Sequence, residues 1–199
     1  MIRLVVFDWG GVLTAGEYDR HVARLLAERS GHPEEDLYRA WRAGKRLALE
    51  RGDASPEEAW EELVAGFDLR GGVEEFAWLL RGAVVPEPGV IDLLRPLRSR
   101  AVLALLSNNY PVTAGIARKS IGAYFDKLFF SNETGHVKPH PDAYVEVLDA
   151  LGVAPAEALF VDDKERNLGP ARELGMAVHL FRHAPELRAD LVGRGLLVA

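Results

Sequence analysis

Five short apolar runs punctuate the chain, and the segments between them repeat at a different period. Val5-Val6-Phe7 is too short for a helix and halts at Asp8, Trp9, Gly10 and Gly11, the pattern of a buried strand that delivers one carboxylate to its tip. Strand-like runs recur at Val102 to Leu106, Leu128 to Phe130, Ala158 to Val161 and Ala177 to Phe181. Between them lie helical faces, one carrying Val90, Leu93, Leu94 and Leu97 and another Tyr144, Val147, Leu148 and Leu151. Gly152 and Gly175 stand where helices are expected to end. Strands alternating with helices predict βαβ units, hence an α/β fold with a parallel sheet. Pro96 falls inside the first helical face and is expected to kink that helix or end it early. From His183 to Ala199 the pattern reads as a surface helix and a short terminal run.

The stretch from Tyr18 to Ala83 has no strand-like alternation and reads as helical throughout. Ser55-Pro56-Glu57-Glu58 is its clearest start signal, with Ser55 as N-cap, Pro56 at the first helical position and Glu58 placed to complete a capping box. Trp60, Leu63, Val64 and Phe67 then share a face, as do Val73, Phe76, Ala77 and Leu80 one helix later, and Trp41 and Trp60 are expected in a core. Thr14-Ala15-Gly16 and Pro86-Glu87-Pro88-Gly89 bracket the segment as joints. Residues 1–14 and 87–199 are therefore expected to form the core domain, and 15–86 an inserted helical cap.

Composition narrows the class of ligand. A chain of 199 residues with 48% hydrophobic content can bury one good core. Its net charge of -6, with basic residues dispersed among acids, disfavours nucleic acid and points to a small molecule. Without cysteine there is neither a thiol nucleophile nor a thiolate metal site. Met1 leads almost directly into the first strand, and no apolar run approaches the ~18 residues of a membrane span, so a cytoplasmic location without membrane association is expected. Oligomeric state leaves no mark on the sequence.

In open α/β sheets ligands bind beyond the carboxyl ends of the strands, so the polar residues at those ends are the candidates. Gly10 and Gly11 allow a tight turn and close approach beside Asp8, although an acid there also serves as a cap. Ser107-Asn108-Asn109 offers a hydroxyl and backbone N–H groups at the start of a helix, a seat for anionic oxygens, while serine and asparagine are equally common N-caps. Lys138, held by Pro139 at the same sheet edge, can neutralise a carboxylate and a phosphate together. Asp162 and Asp163 repel each other unless a cation sits between them, and hard oxygen ligands suit Mg²⁺. Asn167 lies one helical turn further on.

Taken in order, these four elements resemble the haloacid dehalogenase-like superfamily, mostly Mg²⁺-dependent phosphatases that form an aspartyl-phosphate. The resemblance implies a Rossmann-like sheet of five core strands in the order 5-4-1-2-3, helices on both faces and the inserted helical cap. It makes Asp8 the nucleophile, Ser107 the phosphate-binding hydroxyl and Lys138 the charge-balancing lysine. The metal would be held by Asp8, Asp163 and the carbonyl oxygen of Gly10, with Asp162 and Asn167 in support. Gly10, Gly11, Ser107, Asn108 and Lys138 would line the substrate site, with Trp9 and Glu17 as further candidates.

One departure matters. Most phosphatases of this family carry an acid–base aspartate two residues after the nucleophile, where this chain has Gly10. Positioned acid–base catalysis is typically worth ~10²–10⁴-fold, so the loss is consequential. It favours a substrate whose leaving group needs little protonation, such as a sugar phosphate esterified at the anomeric carbon or an acyl phosphate, and glycine here is shared with a branch that includes glucose-1-phosphate phosphatase-like members. Otherwise an acid at the start of the cap substitutes, Glu17 first and Asp19 next, or the protein is a catalytically weak phosphometabolite-binding or regulatory relative. A metal-independent dehalogenase is a further alternative, which the paired Asp162 and Asp163 oppose. Trp9 either lines the pocket or packs under the cap, and His136 and His140 read as structural or solvent-facing.

Overall fold

The structure is a computed structural model describing residues 1–198. Strand β1 (Leu4–Phe7) is buried along its whole length and pairs in parallel with β2 (Val102–Ser107) on one side and β4 (Ala158–Asp162) on the other. Adding β3 (Lys127–Phe130) and β5 (Ala177–Leu180) gives the order β3-β2-β1-β4-β5, the expected sequence of strands read from the opposite edge. Successive side chains of β1 enter different cores, Val5 and Phe7 one and Leu4 and Val6 the other, because side chains alternate across a strand. Helices α6 (Pro88–Arg98), α7 (Pro111–Ile121) and α11 (Ala184–Gly193) cover the first face. The second is covered by α9 (Asp142–Leu151) and α10 (Glu165–Glu173). Burying each valine, leucine or phenylalanine contributes roughly 1.5–3 kcal/mol, which is why β1 tolerates no polar residue before Asp8.

The direction of winding reverses at β1, whose neighbours β2 and β4 lie on either side. A crevice therefore opens above the carboxyl ends of β1 and β4. Pro96 does not end α6, which continues to Arg98. Both Pro96 and Asp92, whose carbonyl loses the missing N–H, are exposed, so water can serve that carbonyl and the interruption is tolerated. The last helix covers more than surface, since Leu187 and Leu191 are completely buried against the sheet.

Between β1 and α6 the chain forms α1 (Tyr18–Ser30), α2 (Glu34–Ala43), α3 (Arg46–Arg51), α4 (Pro56–Phe67) and α5 (Val73–Gly82). Their shared cluster centres on Phe76, which stacks on Trp60 at 5.5 Å and meets Trp41 edge-on at 5.7 Å. Both bonds of the capping box at Ser55 and Glu58 are formed. Trp60, Leu63, Phe76 and Leu80 are buried as expected, whereas Val64, Phe67, Val73 and Ala77 are only half-buried. The outgoing and returning chains lie side by side, with Ala15 donating to the Val85 carbonyl and Glu87 to that of Leu13. Tyr110 and Val112, which precede or begin α7, reach into the helical cluster. Gly52 caps α3 at φ +76° so closely against the Asn132 carbonyl, in the short helix α8 (Ser131–Thr134), that a Cβ would lie 2.5 Å from that oxygen. Among the described residues, no helix is long and apolar enough to cross a membrane.

Candidate active site

Asp8 extends β1 by one rung, its N–H donating to the Val161 carbonyl at 2.9 Å, and its side chain is buried at the strand tip. Lys138 Nζ lies 2.8 Å from Asp8 Oδ1 and 2.9 Å from Asp162 Oδ2, with the lysine only 3% exposed. A buried ammonium survives only where anions surround it. Burial works against its charge, yet Asp162 and Asp8 outweigh that and hold Lys138 above its ordinary value. Its backbone is gripped by Asn108, whose Oδ1 accepts from Lys138 N–H and whose Nδ2 donates to the Lys138 carbonyl, both at 2.8 Å. The Lys138–Pro139 peptide is cis.

The paired acids have different surroundings. Asp162 is completely buried and fully engaged, accepting from Lys138 Nζ, from Asn167 Nδ2 and from the Lys164 N–H, each at 2.9 Å. Asp163 is half-buried, and its Oδ1 has no hydrogen-bond partner although Lys164 Nζ stands 3.6 Å away. Gly11, at φ +83°, lets that carboxylate lie against the turn, since a Cβ there would be 2.5 Å from Asp163 Oδ2. One oxygen from each of Asp8, Asp162 and Asp163 falls within 4.8 Å of the others. Three carboxylates against one buried ammonium leave an excess of negative charge. Burial pushes the Asp8 carboxyl up to about 6 against the pull of Lys138, and raises Asp163 as well. The unpartnered oxygen, the hard donors and the charge excess all fit a small divalent cation.

Ser107 closes β2, is buried, and its hydroxyl makes only a long 3.4 Å contact to the Asn108 carbonyl. Two of the backbone N–H groups expected beside it at the start of a helix are engaged by protein side chains. Helix α7 begins only at Pro111, while Asn109 N–H donates to Ser131 Oγ and Tyr110 N–H to Asn109 Oδ1. Pro111 at the first helical position sets that boundary, and the two asparagines shape the turn before it. Asn108 lines the cavity, but its side-chain amide is committed to positioning Lys138.

A cavity of about 620 Å³ rises from Asp8, Ser107 and Lys138 toward α1 and α3. Glu17 lines it and accepts from the Tyr38 hydroxyl at 2.6 Å. Asp19 is buried and engaged by Trp41 Nε1 at 2.8 Å, the Tyr110 hydroxyl at 3.1 Å and Arg42 Nη1 at 2.9 Å. Such an engaged carboxylate makes a poor replacement acid. Trp9 is part of the cavity wall, and at 6% exposed it packs in the first core cluster rather than in the cluster of helices α1–α5. His140 is exposed at the cavity rim beside Asp142, and His136 is half-buried. Sequence reasoning missed Tyr110, Arg42, Arg46 and Glu50 in the wall. The only local signal was the i, i+4 spacing of Arg46 and Glu50, which ordinarily marks a solvated helix face.

The model of the haloacid dehalogenase-like hydrolases matches residues 2–175. A D-ribitol-5-phosphate phosphatase of Bacteroides thetaiotaomicron is 29% identical over 201 residues, covering 96% of this chain and 97% of that protein. A glyceraldehyde 3-phosphate phosphatase of Methanopyrus kandleri is 29% identical over 210 residues, covering 92% and 84%. Among solved structures, a haloacid dehalogenase family enzyme from Bacteroides thetaiotaomicron, in complex with magnesium and inorganic phosphate, superposes with a TM-score of 0.77 at 25% identity, covering 92% of this chain and 95% of that one. With the strand order, the strand-tip carboxylates and this match in agreement, the chain belongs to the haloacid dehalogenase-like hydrolases.

Proposed function

We propose that this hydrolase is a Mg²⁺-dependent phosphatase acting on a small phosphorylated metabolite through an aspartyl-phosphate on Asp8. The observation that carries the reading is the buried Asp8–Lys138 pair on the cavity floor beside the unpartnered Asp163 oxygen. Phosphatase relatives matched over 92% or more of this chain support it. Asp8, Asp163 and the Gly10 carbonyl would hold the magnesium, while Asp162 and Asn167 position Lys138 and the acidic strand tip. Bound there, magnesium supplies positive charge that lets an anionic carboxylate approach an anionic phosphate. Residues 15–86 serve as the cap over this site.

Asp8 must be ionised to act. Its oxygen attacks phosphorus, the bond from phosphorus to the leaving oxygen breaks, and that oxygen keeps the electron pair and takes a proton from water. Lys138 and the Ser107 hydroxyl meet the charge on the phosphoryl oxygens. Water then attacks the phosphorus, the bond to Asp8 breaks, and the carboxylate is restored with release of phosphate. With Gly10 in place of an acid, and with Glu17 and Asp19 committed to Tyr38, Trp41, Tyr110 and Arg42, a leaving group that departs with little protonation is favoured. Sugar phosphates esterified at the anomeric carbon and acyl phosphates meet that condition.

The test is a panel of phosphate esters and 2-chloropropionate assayed with and without Mg²⁺. Ester hydrolysis that requires the metal and disappears in Asp8→Asn is expected. Halide release without metal would replace the proposal by a dehalogenase, and phosphate-ester binding without turnover by a regulatory binder.

A further inference from the structure

The cavity wall opposite Asp8 carries its own set of buried charges. Arg46 and Glu50 stand one turn apart on α3, with Nη1 and Oε1 2.5 Å apart, and Asp19 Oδ2 lies 3.9 Å from the same nitrogen. Arg42 Nη1 pairs with that Asp19 oxygen at 2.9 Å. The side chains of Arg46 and Glu50 are only 14% and 9% exposed, both residues line the cavity, and Arg46 Nε, though buried, has no hydrogen-bond partner. Buried donors are rarely left so.

Within this cluster two carboxylates match two guanidinium groups. At these residues a second anion on the substrate would meet cations already matched by Asp19 and Glu50, and an apolar group would leave the facing guanidinium and carboxylate without a polar partner. A hydroxyl both donates and accepts. It can accept from the part of the Arg46 guanidinium that faces the cavity while donating to the Glu50 carboxylate. Trp41 and Tyr110 hold Asp19 in place, so the wall is arranged before substrate arrives. We infer that Arg46 and Glu50 are the specificity-determining pair, reading hydroxyl groups on the carbon chain of a polyhydroxylated phosphate ester. The inference rests on the phosphatase reading above and selects sugar and sugar-alcohol phosphates over acyl phosphates.

The experiment compares kcat/KM for glucose 1-phosphate and ribitol 5-phosphate with that for phenyl phosphate, acetyl phosphate and 3-phosphoglycerate, in the wild type and in Arg46→Met and Glu50→Gln. Taking ratios between variants cancels the intrinsic reactivity of each ester. The preference for hydroxylated esters over phenyl phosphate should fall at least ~10-fold in both variants, mainly through KM, because a site built to pair a hydroxyl discriminates strongly. Glu50→Gln preserves side-chain size, and thermal unfolding checks that each variant folds. Unchanged ratios in both folded variants, or a wild-type preference for 3-phosphoglycerate, overturn the inference. If no ester turns over, the phosphatase reading fails and calorimetric titration with ribitol 5-phosphate decides the pair separately. Binding weakened at least ~10-fold by Arg46→Met supports it, and absent or unaltered binding overturns it.

Discussion

Replacing Asp8 by asparagine should remove activity and at the same time stabilise the metal-free protein. The Asp8 carboxyl rises from 3.8 to about 6 because burial costs its charge more than Lys138 returns. At about 1.4 kcal/mol per pH unit, the ionised carboxylate costs the fold roughly 3 kcal/mol at neutral pH. The sign follows from linkage. A carboxyl whose folded pKa is raised binds its proton more tightly when folded, so the penalty is complete above about 6 and vanishes as pH falls to 3.8. Asparagine keeps the size of the side chain without its charge, and Lys138 retains Asp162 at 2.9 Å. Thermal unfolding in EDTA should therefore place the Asp8→Asn variant roughly 6–12 °C above the wild type at pH 8, at the roughly 2–4 °C per kcal/mol expected for a chain of this length. The gap should narrow steadily toward pH 5. Adding Mg²⁺ should raise the wild type more than the variant, because a cation bound only by the folded state stabilises it by mass action. Equal or lower stability of the variant at pH 8 would refute the reasoning, since it would mean that Asp8 is net stabilising.

Three further outcomes are expected. Nothing lies within 4 Å of a Cβ added at Gly10, so Gly10→Asp should raise kcat on primary-alcohol phosphates at least ~10-fold and help good leaving groups less, as an added general acid does; equal effects on ribitol 5-phosphate and phenyl phosphate would contradict this. Gly11→Ala forces a Cβ to 2.5 Å from Asp163 Oδ2 at φ +83°, and the half-saturating Mg²⁺ concentration in steady-state assays should rise at least ~10-fold as the ligand is displaced. Ser55→Ala removes the side-chain half of the capping box, which should cost ~1 kcal/mol and lower Tm by ~2–4 °C, with kcat/KM unchanged.

Features set by neighbours in the chain were legible before any coordinates. The halt of β1 at Asp8, the five strands, the capping box at Ser55 and the terminal glycine at 152 follow from alternation, helical period and turn chemistry, all of which act within a few residues. The hard-oxygen chemistry of Asp8, Asp162 and Asp163 was equally readable, as was the absence of an acid at Gly10. Tertiary structure alone decided how those groups are paired. Only the convergence of Lys138 and Asn167 on Asp162 leaves Asp163 as the acid with an unpartnered oxygen. The clamp of Asn108 on Lys138 spans 30 residues of sequence and the bond from Tyr110 to Asp19 spans 91. Neither has a periodicity to announce it. Arg46 and Glu50 have in the sequence only the i, i+4 spacing common on exposed helix faces, and the fold buries them over the cavity. Burial and electrostatic pairing depend on what lies across space, so the same residue types acquire their roles only once distant segments meet.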